Sequence, residues 1–169
     1  MPFSTLLHSG PISEAFRDAV KRIKSERVVE RISQRDYTVW RPTPDEISNR
    51  LGWLDCPHAM PDQVESLQQI VHAARRDGMR SALLLGMGGS SLAPEVFSQV
   101  FGTAEDHIRL DVLDSTHPQA VLAKATTLDP AETLYIPATK SGGTVETLSF
   151  LKFFFQHAAN KVGPEKAGQ

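Results

Sequence analysis

The sequence predicts an α/β domain built on a parallel sheet, and three observations carry the prediction. Short apolar runs alternate with helix-like stretches: Ala82-Leu83-Leu84-Leu85, then Ile108 to Asp114, then Thr133 to Ala138. The first run is too short for a buried helix and fits a strand covered on both faces. It ends in a glycine loop, Gly86-Met87-Gly88-Gly89-Ser90-Ser91, that leads into a helical segment closed by Gly102. Strand, glycine loop and helix form the first half of a βαβ unit, and such alternation implies parallel pairing with right-handed crossovers.

The elements follow in order. Residues 13–33 read as one amphipathic helix: Ile12, Ala15, Phe16, Ala19, Val20, Ile23, Val28 and Ile32 share a stripe, with Ser13 as N-cap. Its basic residues are interleaved with Glu14, Asp18, Glu26 and Glu30, which describes a solvated face packing its other side on a core. Thr43-Pro44-Asp45-Glu46 is a capping box with proline at the first helical position, which predicts a short helix there. Trp40 and Trp53 flank it and are expected to pin this arm to a core. Cys56-Pro57-His58 sets a thiol beside an imidazole, but no further ligands stand at metal-binding spacing.

Residues 62–77 form a helix with Val64, Leu67, Ile70, Val71 and Ala74 on one face, stopped by Gly78. After the second strand, Ser115-Thr116-His117-Pro118 turns into a helix opened by Pro118 and running to Thr127. The third strand carries Pro137, which predicts an edge position or an irregularity. Thr139-Lys140-Ser141-Gly142-Gly143-Thr144 then leads into a helix from Val145 to about Ala159 that is apolar on most sides. The last stretch, to Gln169, is polar, holds Gly and Pro, and is expected to fray. The domains so read are a helical arm over 1–61, the α/β domain over 62–160, and a flexible tail over 161–169.

At 169 residues the chain has room for one domain with an arm. Its 40% hydrophobic and 22% charged residues describe an ordinary globular protein, and a net charge of -2 argues against a nucleic-acid partner. A single cysteine fits a reducing compartment. No apolar run reaches membrane-spanning length, and Met1-Pro2-Phe3-Ser4-Thr5 shows no basic segment ahead of a long apolar core. A cytoplasmic protein is expected, with no membrane partner, cofactor or metal.

In parallel sheets ligands sit beyond the carboxyl ends of the strands. The 86–91 loop, the 115–117 turn and the 139–144 loop therefore share one rim. Two of them are rich in Gly, Ser and Thr and enter a helix N-terminus, where amides and hydroxyls meet an anion such as a phosphate. A competing reading is a dinucleotide fold: Gly86, Gly88 and Ser91 fall on the G-x-G-x-x-G/A spacing and Asp114 ends the second strand. Ser91 in place of the third glycine and the second loop, T-K-S-G-G-T, count against it. No G-x-x-x-x-G-K-[ST] segment is present.

The segments GMGGSSLAPEVF, LDSTHP and ATKSGGTVET resemble the sugar isomerase (SIS) domain, specifically the N-terminal half of the glucose-6-phosphate isomerase family. RDYTVWRPTPDEISNRLGWLD resembles the linker that joins transaldolase to phosphoglucose isomerase in bifunctional fusions. The resemblance covers about residues 35–155. It implies a three-layer αβα SIS-type sandwich whose sheet, at three strands, is incomplete against the family's five. It further implies that Gly89 and Ser90 line a sugar-phosphate site, with Gly86 and Gly88 in support. Thr139, Lys140 (through its backbone N–H), Ser141 and Thr144 would hold the phosphate, Thr147 would add a hydroxyl, and Glu146 would organise the loop.

The resembled activity is the aldose–ketose interconversion of glucose 6-phosphate and fructose 6-phosphate in glycolysis and gluconeogenesis. It needs a carboxylate base and a cation over the enediolate. In the family these lie in a later half, so the resemblance implies no catalytic residue here, an inactive isolated chain, and either homo-oligomerisation or completion by the rest of a longer polypeptide. Two alternatives stand beside it: a stand-alone phosphosugar-binding regulatory module, and a dinucleotide-binding oxidoreductase domain.

Overall fold

The computed structural model describes residues 10–168, which divide between Val64 and Glu65 into two compact units. The opening pentapeptide, read above for a leader, and Gln169 lie outside the described residues.

The first unit is helical. The single helix expected over 13–33 is broken into α1 (Ser13–Ser25) and α2 (Val28–Ser33). Arg27, between them, takes a left-handed conformation at φ 51°, which stops the helical run. Its guanidinium then reaches Glu30 one turn on, Nε donating at 2.6 Å. Ile12, not Ser13, occupies the N-cap of α1, after a 3-10 turn over Gly10–Ile12. No residue of α1 is buried, so its apolar stripe is not the packed face the periodicity suggested.

The capping box does not open a helix either. Glu46 has φ 57°, and residues 44–47 make one turn before a 3-10 segment, Ser48–Asp55, and α3 (Cys56–Ala59). Glu46 pairs with Arg50 instead of capping. Trp40 and Trp53 are 45% and 59% exposed, so neither anchors this unit; its buried apolar residue is Leu51.

Asp36 caps a 3-10 turn, Tyr37–Val39, by accepting from the Thr38 N–H at 2.9 Å. The Thr38 hydroxyl and the Arg31 guanidinium hold its carboxyl down at about 2.

The second unit carries the α/β body. Its elements are α4 (Val64–Arg76), β1 (Ser81–Gly86), α5 (Gly89–Phe101), β2 (Arg109–Leu113), α6 (Pro118–Thr127), β3 (Thr133–Ala138), α7 (Val145–Val162) and α8 (Pro164–Ala167). The three strands form one parallel sheet in the order β2-β1-β3. β1 is central, and five of its six residues are buried, as its unbroken apolar run requires.

Along β1, Leu83 and Leu85 face a core completed by Leu113, Leu128, Phe150 and Phe154, with α6 and α7 residues packed around it. Tyr135 stacks on Phe154 with ring centroids 5.2 Å apart. The helices α6 and α7 thus cover one sheet face, while α5 contacts β1 and β2. Asp111 sits at the margin, bound by Lys124 of α6 at 2.6 Å and Arg109 at 2.9 Å. Burial pushes its carboxyl up, but the two cations outweigh that and leave it below the usual carboxylate range.

Proline in β3 follows from the ladder. The Ser81 N–H donates to Glu132 O at 3.1 Å. Alternation then turns the backbone groups of Leu134 and Ile136 toward β1 and those of Tyr135 and Pro137 outward. β3 is an edge of the described sheet, so the N–H that Pro137 lacks would have faced no strand.

The tail is more helical than its Gly and Pro suggested: α7 runs on to Val162, and α8 contacts it.

Candidate functional site: two loops at the β1–β3 switch point

The chain leaves β1 for β2 on one side, then crosses back over β1 to β3 on the other. That reversal puts the carboxyl ends of β1 and β3 side by side, where the two connecting loops leave for opposite faces of the sheet. The register is direct: Gly86 pairs with Ala138. A Cβ at Gly86 would stand 3.1 Å from the Ala138 carbonyl oxygen and 3.2 Å from the Ser90 Cβ. Glycine is what allows the two strand ends and the start of α5 to approach this closely.

The first loop turns at Gly88, whose φ 55°, ψ −122° is open to glycine and costly for any residue with a Cβ. The helix start is less vacant than expected. The N–H groups of Ser90 and Ser91 donate to Met87 O and Gly88 O at 3.2 and 3.0 Å, and the Leu92 N–H also reaches Gly88 O. The amides of Gly88 and Gly89 lie ahead of these bonds, and open space surrounds both glycines. Ser90 is half-buried. Ser91, 1% exposed, donates its hydroxyl to Gly88 O at 3.0 Å, so it braces the loop from below.

In the second loop the Thr139 and Thr144 hydroxyls bond each other at 2.9 Å. One hydrogen of the pair is used and the other is left to donate. Ser141 Oγ accepts from the Gly143 N–H at 3.3 Å, which keeps its own hydrogen available. Lys140 is exposed. Thr144 is the N-cap of α7, whose first backbone bond is Leu148 N–H to Thr144 O. The amides of Val145, Glu146 and Thr147 precede it and have no acceptor within the helix.

Thr147 is 1% exposed and its hydroxyl is buried without a partner. Glu146 is half-buried in the first turn.

The third turn closes on itself. Ser115 Oγ accepts from the His117 N–H at 3.2 Å, and His117 Nδ1 accepts from the Gln119 N–H at 3.3 Å as N-cap of α6. Leu85 pairs with Leu113, so this turn leaves from the same sheet edge as the other two loops, with these two acceptors spent within it. The His117 cap was legible only as a proline-opened helix, because an imidazole is an uncommon cap.

Two concavities, of about 540 and 220 Å³, lie elsewhere. Asp129, His157 and Lys161 line the larger; Arg75, Arg80 and His107 line the smaller. Neither includes a residue of the two loops. Among the described residues no three His, Cys, Asp or Glu side chains gather as a metal site, and no helix is long and apolar enough to cross a membrane.

Comparison with known proteins gives the same direction. No family model matches the chain. Glucose-6-phosphate isomerase of Thermus thermophilus is 31% identical over 121 residues, covering 71% of this chain and 28% of the relative. Glucose-6-phosphate isomerase of Geobacter sulfurreducens is 38% identical over 127 residues, covering 62% and 24%. A crystal structure of a hypothetical protein from Thermus thermophilus matches 90% of this chain and 34% of its own, with a TM-score of 0.61 and 29% identity. The chain spans about a quarter of the length of the curated relatives it matches. It is a partial glucose-6-phosphate-isomerase-like domain.

Proposed function

We propose that this partial domain binds the phosphate of a sugar phosphate, as part of a glucose-6-phosphate isomerase acting on glucose 6-phosphate and fructose 6-phosphate in the cytoplasm. The observation that carries the reading is the pairing of Gly86 with Ala138 at the switch point. Two glycine- and hydroxyl-rich loops there open onto the N-termini of α5 and α7, of 13 and 18 residues. Aligned peptide dipoles favour an anion at such ends, and hydrogen bonds to a charged acceptor are the stronger kind.

In this reading the Gly89 amide and the Ser90 hydroxyl hold the sugar phosphate from the α5 side. Thr139, Ser141 and Thr144 donate hydroxyl hydrogens from the α7 side. Lys140 contributes its backbone N–H, and Thr147 lies buried behind the loop in the first turn of α7. Gly86 and Gly88 shape the first loop, and Glu146 organises the second. No residue of this chain is assigned the proton transfer between C1 and C2.

The test is an amide-resolved titration with glucose 6-phosphate, fructose 6-phosphate and NADPH. The expected result is sugar-phosphate shifts at Gly89, Ser90 and Ser141, with none from NADPH. Shifts driven by NADPH instead, or loops unmoved by any sugar phosphate, would overturn the reading. Isomerase turnover by this chain alone would show that its proton-transfer groups lie within it.

A further inference from the structure

The smaller concavity, of about 220 Å³, lies at the amino ends of β1 and β2, the end of the sheet away from the two loops. Its walls come from two short stretches. Arg75 ends α4, Gly78 turns the chain after it, and Arg80 stands just ahead of β1; Asp106, His107 and Ile108 stand just ahead of β2. Backbone bonds fix the walls. The Gly78 N–H donates to Arg75 O at 3.1 Å, with Gly78 at φ 87°, and the Arg109 N–H donates to Arg80 O at 3.0 Å. The two stretches are therefore tied together where they enter the sheet.

The cations at this place lack acceptors. Arg75 is half-buried, and among the described residues no ion pair or hydrogen bond engages its guanidinium. Taking a charge partly out of water is unfavourable unless an opposite charge or an acceptor meets it. Arg80 has one partner, Glu132 at 3.7 Å, which is beyond hydrogen-bond distance. His107 Nδ1 stands 2.9 Å from Glu105 O. A carbonyl only accepts, so Nδ1 carries the hydrogen and Nε2 is left over. Asp106 is the one carboxylate among the lining residues and is exposed, so two guanidiniums face one negative charge.

We propose that this concavity binds a phosphoryl dianion, free or at the end of a small ester, with Arg75 and Arg80 as its clamp. A planar guanidinium donates two parallel N–H bonds to phosphate oxygens, and a dianion answers two such groups at once. The volume suits one anionic group and is too small for a helix or strand of polypeptide. The larger concavity sets Asp129 against Lys161 and carries no such excess of positive charge. No lining residue of the smaller one belongs to either loop, so the site is separate from the one proposed above.

An amide-resolved titration of the 169-residue chain tests this, with inorganic phosphate, glycerol 3-phosphate and succinate at constant ionic strength. Both phosphates should shift Gly78, Arg80 and His107 with a Kd of about 1 mM. Tighter binding of the ester assigns the site to a phosphorylated small molecule, and equal binding assigns it to the free ion. Gly89 and Ser141 report separately on the loops, so either reading can fail alone. Arg75→Gln should weaken binding about tenfold or more. Arg75→Lys, which keeps the charge without the fork, should fall between, and Arg76→Gln, outside the concavity, should leave binding in place. Should Arg75→Gln fail to fold, Arg80→Gln serves instead. No shift with either phosphate, succinate binding as tightly, or binding indifferent to loss of the arginines overturns the proposal.

Discussion

Gly86 and Gly89 stand three residues apart, and one added methyl should do opposite things at the two. In Gly86→Ala the new Cβ meets the Ala138 oxygen at 3.1 Å, the Ser90 Cβ at 3.2 Å and a Leu84 methyl at 3.3 Å. Two of these are backbone or backbone-near atoms, so relief means moving β3 or the start of α5 by a few tenths of an ångström. Overpacking of this kind costs about 1–3 kcal/mol, and the lost glycine flexibility of the unfolded chain returns about 0.5–1. The net loss is about 1–2 kcal/mol, a fall in melting temperature of roughly 5 °C at this chain length.

Gly89 is helical and nothing lies within 4 Å of its Cβ position. Gly89→Ala should raise stability by about 0.5–1 kcal/mol. If Gly89 borders a bound phosphate, the same methyl narrows the space beside its amide and weakens fructose 6-phosphate binding about tenfold or more, which is about 1.4 kcal/mol. Urea unfolding followed by far-UV circular dichroism reads the stabilities, and calorimetric titration reads the binding. Gly86→Ala within about 0.3 kcal/mol of wild type would refute the close-approach argument. Equal destabilisation by both variants would refute the distinction between a strand-end glycine and a rim glycine.

Two further outcomes follow from buried polar groups. Thr147→Val removes a hydroxyl that is buried without a partner, so stability should rise by about 1 kcal/mol in thermal unfolding and ligand shifts at Gly89 and Ser141 should persist; lost stability would mean that the hydroxyl has found an acceptor. Asp111 is held below its usual range when folded, so it binds a proton less readily than in the unfolded chain. Its contribution, about 1 kcal/mol for a pair still a quarter exposed, is present above about pH 4 and is lost as pH falls below that; Asp111→Asn should flatten that part of the stability–pH curve, and an unchanged slope would sink the assignment.

The strands, the glycine loop and the helices opened by Pro118 and Thr144 were legible because each depends on local chemistry. An uninterrupted apolar run can satisfy its backbone and bury both faces only inside a sheet, and Gly88 adopts a conformation other residues resist. The arm departs from its pattern where one dihedral decides the outcome: Arg27 and Glu46 turn left-handed, and no periodicity of apolar residues reports that. The pairing of β1 with both β2 and β3 is set by packing across the chain, and it alone brings residues 86–91 and 139–144 to neighbouring strand ends. The orientation of α5 is likewise tertiary. Its sequence shows an apolar stripe, but which side of the helix the sheet takes depends on how closely small residues let the helix approach, and here Ser90, Ser91 and Ser98 won that contact while the phenylalanines were left outside.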